Sequence, residues 1–497
     1  MTMKGPAMDM LLQSIESKTY QLCVWDFVAS FCNMPFSFYF KATNGSGFMP
    51  TELLYTSLLR ALQEFPILLG RLVVSNKTGR GYVIVDREAL NMPDFQESQS
   101  TVHYDEMEAA NFSWDALDMK MATVEATPAK NAISGDIKLV NVHVVRLRDD
   151  SGVIVFANIP HYVMDGFGYT AFVNRWAEVC KWLYEGVGLP DIPLRRFNFD
   201  RTAIEKALPD KTEPLSAAST RLYGQDTVLA RTLGRLTPKT RGALLSTVNG
   251  FIPARGHVFH IAKDTLDRIR VLINTKELRC SDNDILTALV SHVVGRAIKD
   301  GGLAGGSLFM RGMRAVSRLL AGGESDELLT LVVADIRPRL EQLCQAHYVG
   351  GGITGYPVYN KVDLVAQADS CTRSLQETCG NIRQAVNMLT PKYIRSTDSA
   401  LGHSPSSFAN VLSQCIIAYK KIVITNQSRF PMYATDFGGG TPQWVGPGMP
   451  NYITNFAFVL PRRPNTTGYD VYLSLEEPLM KGVLRNGFWS TCTSFIH

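Results

Sequence analysis

No apolar run in this sequence approaches the ~18–20 residues that a helix needs to cross a bilayer. The aromatic stretch from Trp25 to Phe40 is broken by Asp26, Asn33 and Pro35. The opening residues, MTMKGPAMDMLLQSIESK, carry neither a long apolar core nor a cleavage-site pattern, so a secretory leader is not expected. An excess of either charge is also lacking: 50 Lys and Arg against 46 Asp and Glu leave +4, scattered along the chain. Without a basic stripe or an acidic tail, nucleic acid is not an expected partner. The nine cysteines (23, 32, 180, 280, 344, 371, 379, 415 and 492) form no C-x-x-C pair and no zinc-like spacing with the nine histidines. Small buried thiols and no metal centre are expected. Phosphate loops of the G-x-x-x-x-G-K type, G-x-S-x-G elbows and H-E-x-x-H helices are missing too. These absences favour a soluble cytoplasmic protein that handles small molecules.

What is present is a long globular chain. With 497 residues, 45% hydrophobic and 19% charged, it exceeds one hydrophobic core and calls for two large domains. The densest signal is local. Gly152 to Ala157 reads GVIVFA, a β-branched and aromatic run of strand length. Phe172, Trp176, Val179, Cys180 and Leu183 then recur at helical spacing. Between them lies Asn158-Ile159-Pro160-His161-Tyr162-Val163-Met164-Asp165-Gly166, which puts His161 where a strand leaves its sheet and Asp165 where a helix begins. Rigid elements on both sides can hold a side chain there while the loop opens to ligand. His143, alternating with Val142 and Val144, is expected to be a half-exposed strand histidine. His292, on a helix capped at Ser281, is expected to pack or face solvent. Strands alternate with helices throughout, which predicts a layered α/β fold. The expected division is an N-terminal domain over 1–200, a proline- and charge-rich crossover linker over 201–255 and a C-terminal domain over 256–497.

Three segments share one resemblance. His161-x-x-x-Asp165-Gly166 is the first. Leu329 to Leu340, ending Asp335-Ile336-Arg337-Pro338-Arg339, with Tyr348-Val349-Gly350 downstream, is the second. Ile424-Thr425-Asn426-Gln427-Ser428 leading to Asp436-Phe437-Gly438-Gly439-Gly440 is the third. From about Asp26 to Phe458 the chain resembles the BAHD-like coenzyme A-dependent acyltransferases, chiefly their fungal branch acting on secondary metabolites. These are relatives of chloramphenicol acetyltransferase and of peptide-synthetase condensation domains. The resemblance implies two chloramphenicol-acetyltransferase-like layered domains with a channel between them. It implies acyl-CoA, acetyl-CoA in particular, as co-substrate, no tightly bound cofactor, an alcohol acceptor and a monomer. His161 becomes the base, Gly166 frees the backbone at the helix junction, and Asp165 pairs with Arg337 in a structural role. Thr425 matches a donor near the thioester carbonyl, while Asn426 and Gln427 stand where Ser-Trp is usual and would meet acceptor or coenzyme. Asp436, Phe437 and Gly438 become a structural turn closing the channel. Gly439 replaces the usual Trp there, which would weaken packing or open space.

The chemistry needs few parts. A base removes the hydroxyl proton as oxygen attacks, a donor stabilises the tetrahedral oxyanion, and both substrates are held away from water. Histidine suits the base because its pKa lies near neutrality. Two other readings stay open from the sequence. One is a free-standing condensation domain making amides, although Pro160 stands where those domains carry a second histidine. The other is a member of the fold repurposed for something other than acyl transfer.

Overall fold

The computed structural model describes residues 5–28, 33–43, 47–74, 81–117, 137–223, 254–302, 311–312, 315, 326–367, 371–403, 420–450 and 453–497. Two large sheets carry the architecture. The first has five strands, in the order Trp444–Pro447, Asn33–Lys41, Gly152–Pro160, Asn141–Arg146 and Asp94–Gln99. Gly152–Pro160 is buried at every position, in keeping with a composition that is apolar but for Asn158. The helices Thr51–Leu62 and Gly166–Tyr184 pack together, and Trp176 of the second donates to the Leu54 carbonyl at 2.9 Å and to Ser57 at 3.1 Å.

The second sheet has seven strands, ordered Ile353–Lys361, Glu327–Asp335, Lys421–Asn426, Phe456–Val459, Tyr469–Glu476, Ala254–Ile261 and Ser494–Phe495. Glu327–Asp335 and Lys421–Asn426 run parallel, Leu331 opposite Val423, so both deliver their C-terminal ends to the same edge. Ser281 caps the helix Asp282–Ala297 through Asp284, a reciprocal capping box. The two-domain α/β architecture is thus present. One strand crosses between the sheets: Trp444–Pro447 lies in sequence between Lys421–Asn426 and Phe456–Val459 of the second sheet but pairs with Asn33–Lys41, Val445 opposite Phe38.

Several local expectations need revision. Within 201–255, Thr202–Ala207 and Ala217–Tyr223 are helical, and residues 224–253 lie outside the described part of the chain. Cys32 and Cys415 also lie outside it. His143 is buried rather than half-exposed, because Asp94–Gln99 flanks its strand and Ser98 meets its Nε2 at 2.8 Å. Asp26 lies in the single turn Val24–Phe27, where it accepts from the Cys23 amide at 2.8 Å. His292 packs in the core as expected, its ring edge-on to Phe488 at 5.0 Å. No described helix is long and apolar enough to cross a membrane.

Candidate active site

Strand Gly152–Pro160 ends in a tight turn, closed by Val163 N–H donating to the Pro160 carbonyl at 3.1 Å, and His161 opens that turn. Two residues further on, the helix Gly166–Tyr184 begins with Asp165 as its N-cap. Asp165 Oδ1 accepts from the Phe167 and Gly168 amides, each at 3.1 Å, satisfying donors that the first helical turn leaves orphaned. Its Oδ2 accepts from Arg337 Nη1 at 2.8 Å and from the Gly352 amide at 2.9 Å. All four bonds go to groups other than the histidine. Asp165 is fully buried and Arg337 nearly so, so each charge depends on the other. Arg337 is also held by the carbonyls of Tyr348 at 2.9 Å and Gly350 at 2.6 Å, and by Asp335 Oδ1 at 3.0 Å. Gly166 is required by close approach: a Cβ there would sit 2.7 Å from the Phe430 ring.

His161 faces a cavity of about 1260 Å³, open mouth included, built from both sheets. Phe36 and the histidine turn form one wall, and Leu331, Val333, Ile353, Thr425 and Phe458 form the other. The lining is chiefly apolar, with Asp335, Arg337, Thr354, Thr425 and Gln427 as its polar members beside His161 and Asp165. Burial lowers the His161 pKa, opposed by the Asp165 carboxylate, by a bond from the ring to its own backbone and by Asp26. Only Nδ1 can reach its own backbone, which leaves Nε2 for a ligand. Burial pushes the Asp335 carboxyl above its usual range, with Arg337 pulling the other way.

The residues singled out in the sequence divide in two. His161, Asp165, Gly166, Arg337, Thr425 and Gln427 come together around the cavity. Gln427 lines the cavity and is largely buried, and its Oε1 has no hydrogen-bond partner among the described residues. Asn426 does not line the cavity: its Nδ2 donates to Asn283 Oδ1 at 2.8 Å, tying the strand end to the helix Asp282–Ala297. Asp436, Phe437 and Gly438 are likewise outside the lining. They form a turn within the first core. Asp436 accepts from Gly438 N at 2.8 Å and pairs with Lys181 at 2.9 Å, while Phe437 is wedged between Phe40 and Trp176. Gly439 opens no space, because a Cβ there would lie 2.5 Å from the Phe48 ring. Sequence reasoning passed over Thr354, Tyr223 and the cavity role of Asp335. Asp335 alone had a signal, its place in the Asp-x-Arg-x-Arg run.

A histidine at a strand end over a cavity lined from both sheets, its neighbouring Asp bonded to an arginine, is the setting that the sequence resemblance implies. The Transferase family model matches residues 12–193 and 314–487, and the chain belongs to that family, the BAHD acyltransferases. Rice hydroxycinnamoyltransferase 2 is 24% identical over 444 residues, 88% of this chain and 87% of that protein. The crystal structure of Fusarium graminearum TRI101 with coenzyme A and deoxynivalenol superposes with a TM-score of 0.70 at 15% identity, covering 97% of this chain and 100% of that one. The first condensation domain of the calcium-dependent antibiotic synthetase gives 0.55 at 14% identity, covering 97% and 98%. The chain is therefore an acyl-CoA-dependent acyltransferase.

Proposed function

We propose that this enzyme moves an acyl group, acetyl in the first instance, from acyl-CoA to a hydroxyl of an apolar secondary metabolite, with His161 as general base. The observation that carries the reading is the division of labour at the histidine turn. Asp165 is consumed by Arg337 and two helix amides, while His161 stands in the cavity with its charged form disfavoured by burial. A neutral imidazole at neutral pH is the form a base needs.

In this reading Nε2 takes the alcohol proton as the oxygen attacks the thioester carbonyl. The oxyanion that forms accepts a hydrogen bond from the Thr425 hydroxyl, which lines the same cavity. Collapse breaks the carbon–sulfur bond, and the departing thiolate recovers the proton from the imidazolium. The apolar lining excludes water that would otherwise hydrolyse the thioester. Gln427, a lining residue whose Oε1 has no partner among the described residues, would meet a donor on the acceptor or on the pantetheine arm. Among the described residues no cysteine or serine lines the cavity, which favours direct attack over a covalent acyl-enzyme. The test is incubation of the pure protein with acetyl-CoA and a panel of alcohols and amines, with free thiol and acylated product as readouts. Thiol release matched by ester formation supports the reading. Amide products alone would turn it towards the condensation-type alternative.

A further inference from the structure

The loop Gly350–Gly352 is threaded between two buried ion pairs. Asp165 and Arg337 flank it on one side, through the Gly352 amide and the Gly350 carbonyl. On the other stands a second pair: Asp26 is 1% exposed and Arg201 6%, with Nε 3.3 Å from Oδ2. Asp26 Oδ1 accepts from the Gly351 amide at 3.0 Å, and its Oδ2 also accepts from the Cys23 amide at 2.8 Å. Arg201 gives Nη1 to the Phe199 carbonyl at 3.1 Å and Nη2 to the carbonyl of Val163, inside the turn that carries His161. The loop leaves room only for hydrogen: a Cβ on Gly351 would lie 2.9 Å from the Asp26 backbone, and one on Gly350 2.3 Å from the Tyr348 hydroxyl.

We propose that the Asp26–Arg201 pair is a positioning device for His161, holding the histidine turn by the Val163 carbonyl and fixing that turn to the glycine loop of the opposite domain. The proposal deepens the reading of His161 as base. Arg337 secures the turn where it becomes a helix, through Asp165. Arg201 secures it two residues after the histidine. Between them, the turn has no freedom to swing the ring out of the cavity. A planar guanidinium serves this because it reaches a carboxylate and a carbonyl at once, which a lysine ammonium cannot do in the same geometry. Charge matters as well as shape. The groups facing His161 are Asp165 and Asp26, both raising its pKa against burial, with Arg201 and Arg337 behind them and Asp335 in the same cavity. Burial keeps the nearby Cys23 thiol and Tyr348 phenol neutral by raising both.

Two variants of the full chain separate charge from geometry. Asp26→Asn removes the second carboxylate, so the His161 imidazole, followed by NMR of ¹³C-labelled histidine with His161→Gln for assignment, is expected to titrate at lower pH than in the wild type. Arg201→Lys keeps the charge, so the titration stays in place while kcat with acetyl-CoA and the accepted alcohol falls about 10- to 100-fold at constant KM for acetyl-CoA. An unmoved titration in folded Asp26→Asn, or wild-type kcat in folded Arg201→Lys, overturns the proposal. If neither variant folds, the wild-type protein carries the test by hydrogen exchange. The Gly351 and Gly352 amides belong in its slowest class, and exchange as fast as exposed loops overturns it. A protein that transfers no acyl group at all would defeat the proposed function, yet the titration and exchange results would still decide on the bracing.

Discussion

Asp165 and Arg337 meet at 2.8 Å across the two halves of the chain, with the carboxylate fully buried and the guanidinium 3% exposed. Neither has water to fall back on. Asp165→Asn leaves Arg337 as a buried cation held by two carbonyls and by Asp335 alone among the carboxylates of its ion pairs, at a cost of roughly 3–5 kcal/mol. The expected outcome is a lower melting temperature and poor soluble yield alongside lost turnover. An Asp165→Asn protein that melts like the wild type yet is inactive would place Asp165 in the chemistry instead.

Acid should weaken the fold through its buried histidines. Burial lowers the pKa of His292 to about 4, and that of His497 to about 4. An unfolded chain takes up a proton at each near the usual ~6.5. Folded His292 and His497 stay neutral down to about 4, so stability is complete above pH 6.5 and is lost progressively between 6.5 and 4. Melting temperature against pH measures this, and His292→Leu should flatten the slope by one proton's share. A slope unchanged by that substitution would remove His292 from the account.

Phe437 is fully buried, edge-on to Phe40 at 5.7 Å and to Trp176 at 4.7 Å. Phe437→Ala opens a cavity in the first core and should cost about 3–5 kcal/mol. Its remaining folded fraction should keep the kcat of the wild type, since the residue lies outside the cavity lining. A large loss of kcat in well-folded Phe437→Ala would tie the turn to the reaction.

Restoring the tryptophan usual at position 439 should harm the protein. Phe48 already stands 2.5 Å from where a Cβ at Gly439 would go, so Gly439→Trp overpacks the site and should cost about 1–3 kcal/mol. Differential scanning calorimetry reads this directly. A stabilised Gly439→Trp would mean that Phe48 yields its place readily.

The strand–turn–helix around His161 was legible because the whole signal lies within a few consecutive residues, where periodicity changes from strand to helix at Asp165. The pairing with Arg337 was legible only through family likeness, since the partners lie 172 positions apart. Arg201 gave no signal. It opens a stretch read as linker, and its carboxylate lies 175 positions away in a turn whose bonding only the fold reveals. Asn426 and Gln427 looked equivalent in sequence. The fold separates them: the strand end points Gln427 into the cavity and ties Asn426 to Asn283. Gly439 read as lost packing because nothing in the sequence says that Phe48 fills the gap.

Under the proposed direct attack, to which no cysteine or serine among the described lining residues offers an alternative, both substrates are bound before the acyl group moves. Initial rates at varied acetyl-CoA and varied alcohol should give intersecting double-reciprocal lines. Parallel lines, or a protein acylated by acetyl-CoA alone in mass spectrometry, would require a covalent intermediate.

The central claim is that His161 takes the acceptor's proton. The most direct measurement is kcat of His161→Ala beside its melting temperature, because His161 shares none of the Asp165, Arg337 or glycine-loop bonds that hold the turn. Turnover should fall by about 10²–10⁴-fold while the melting temperature stays at the wild-type value. Near-normal turnover in a folded His161→Ala protein would contradict the account.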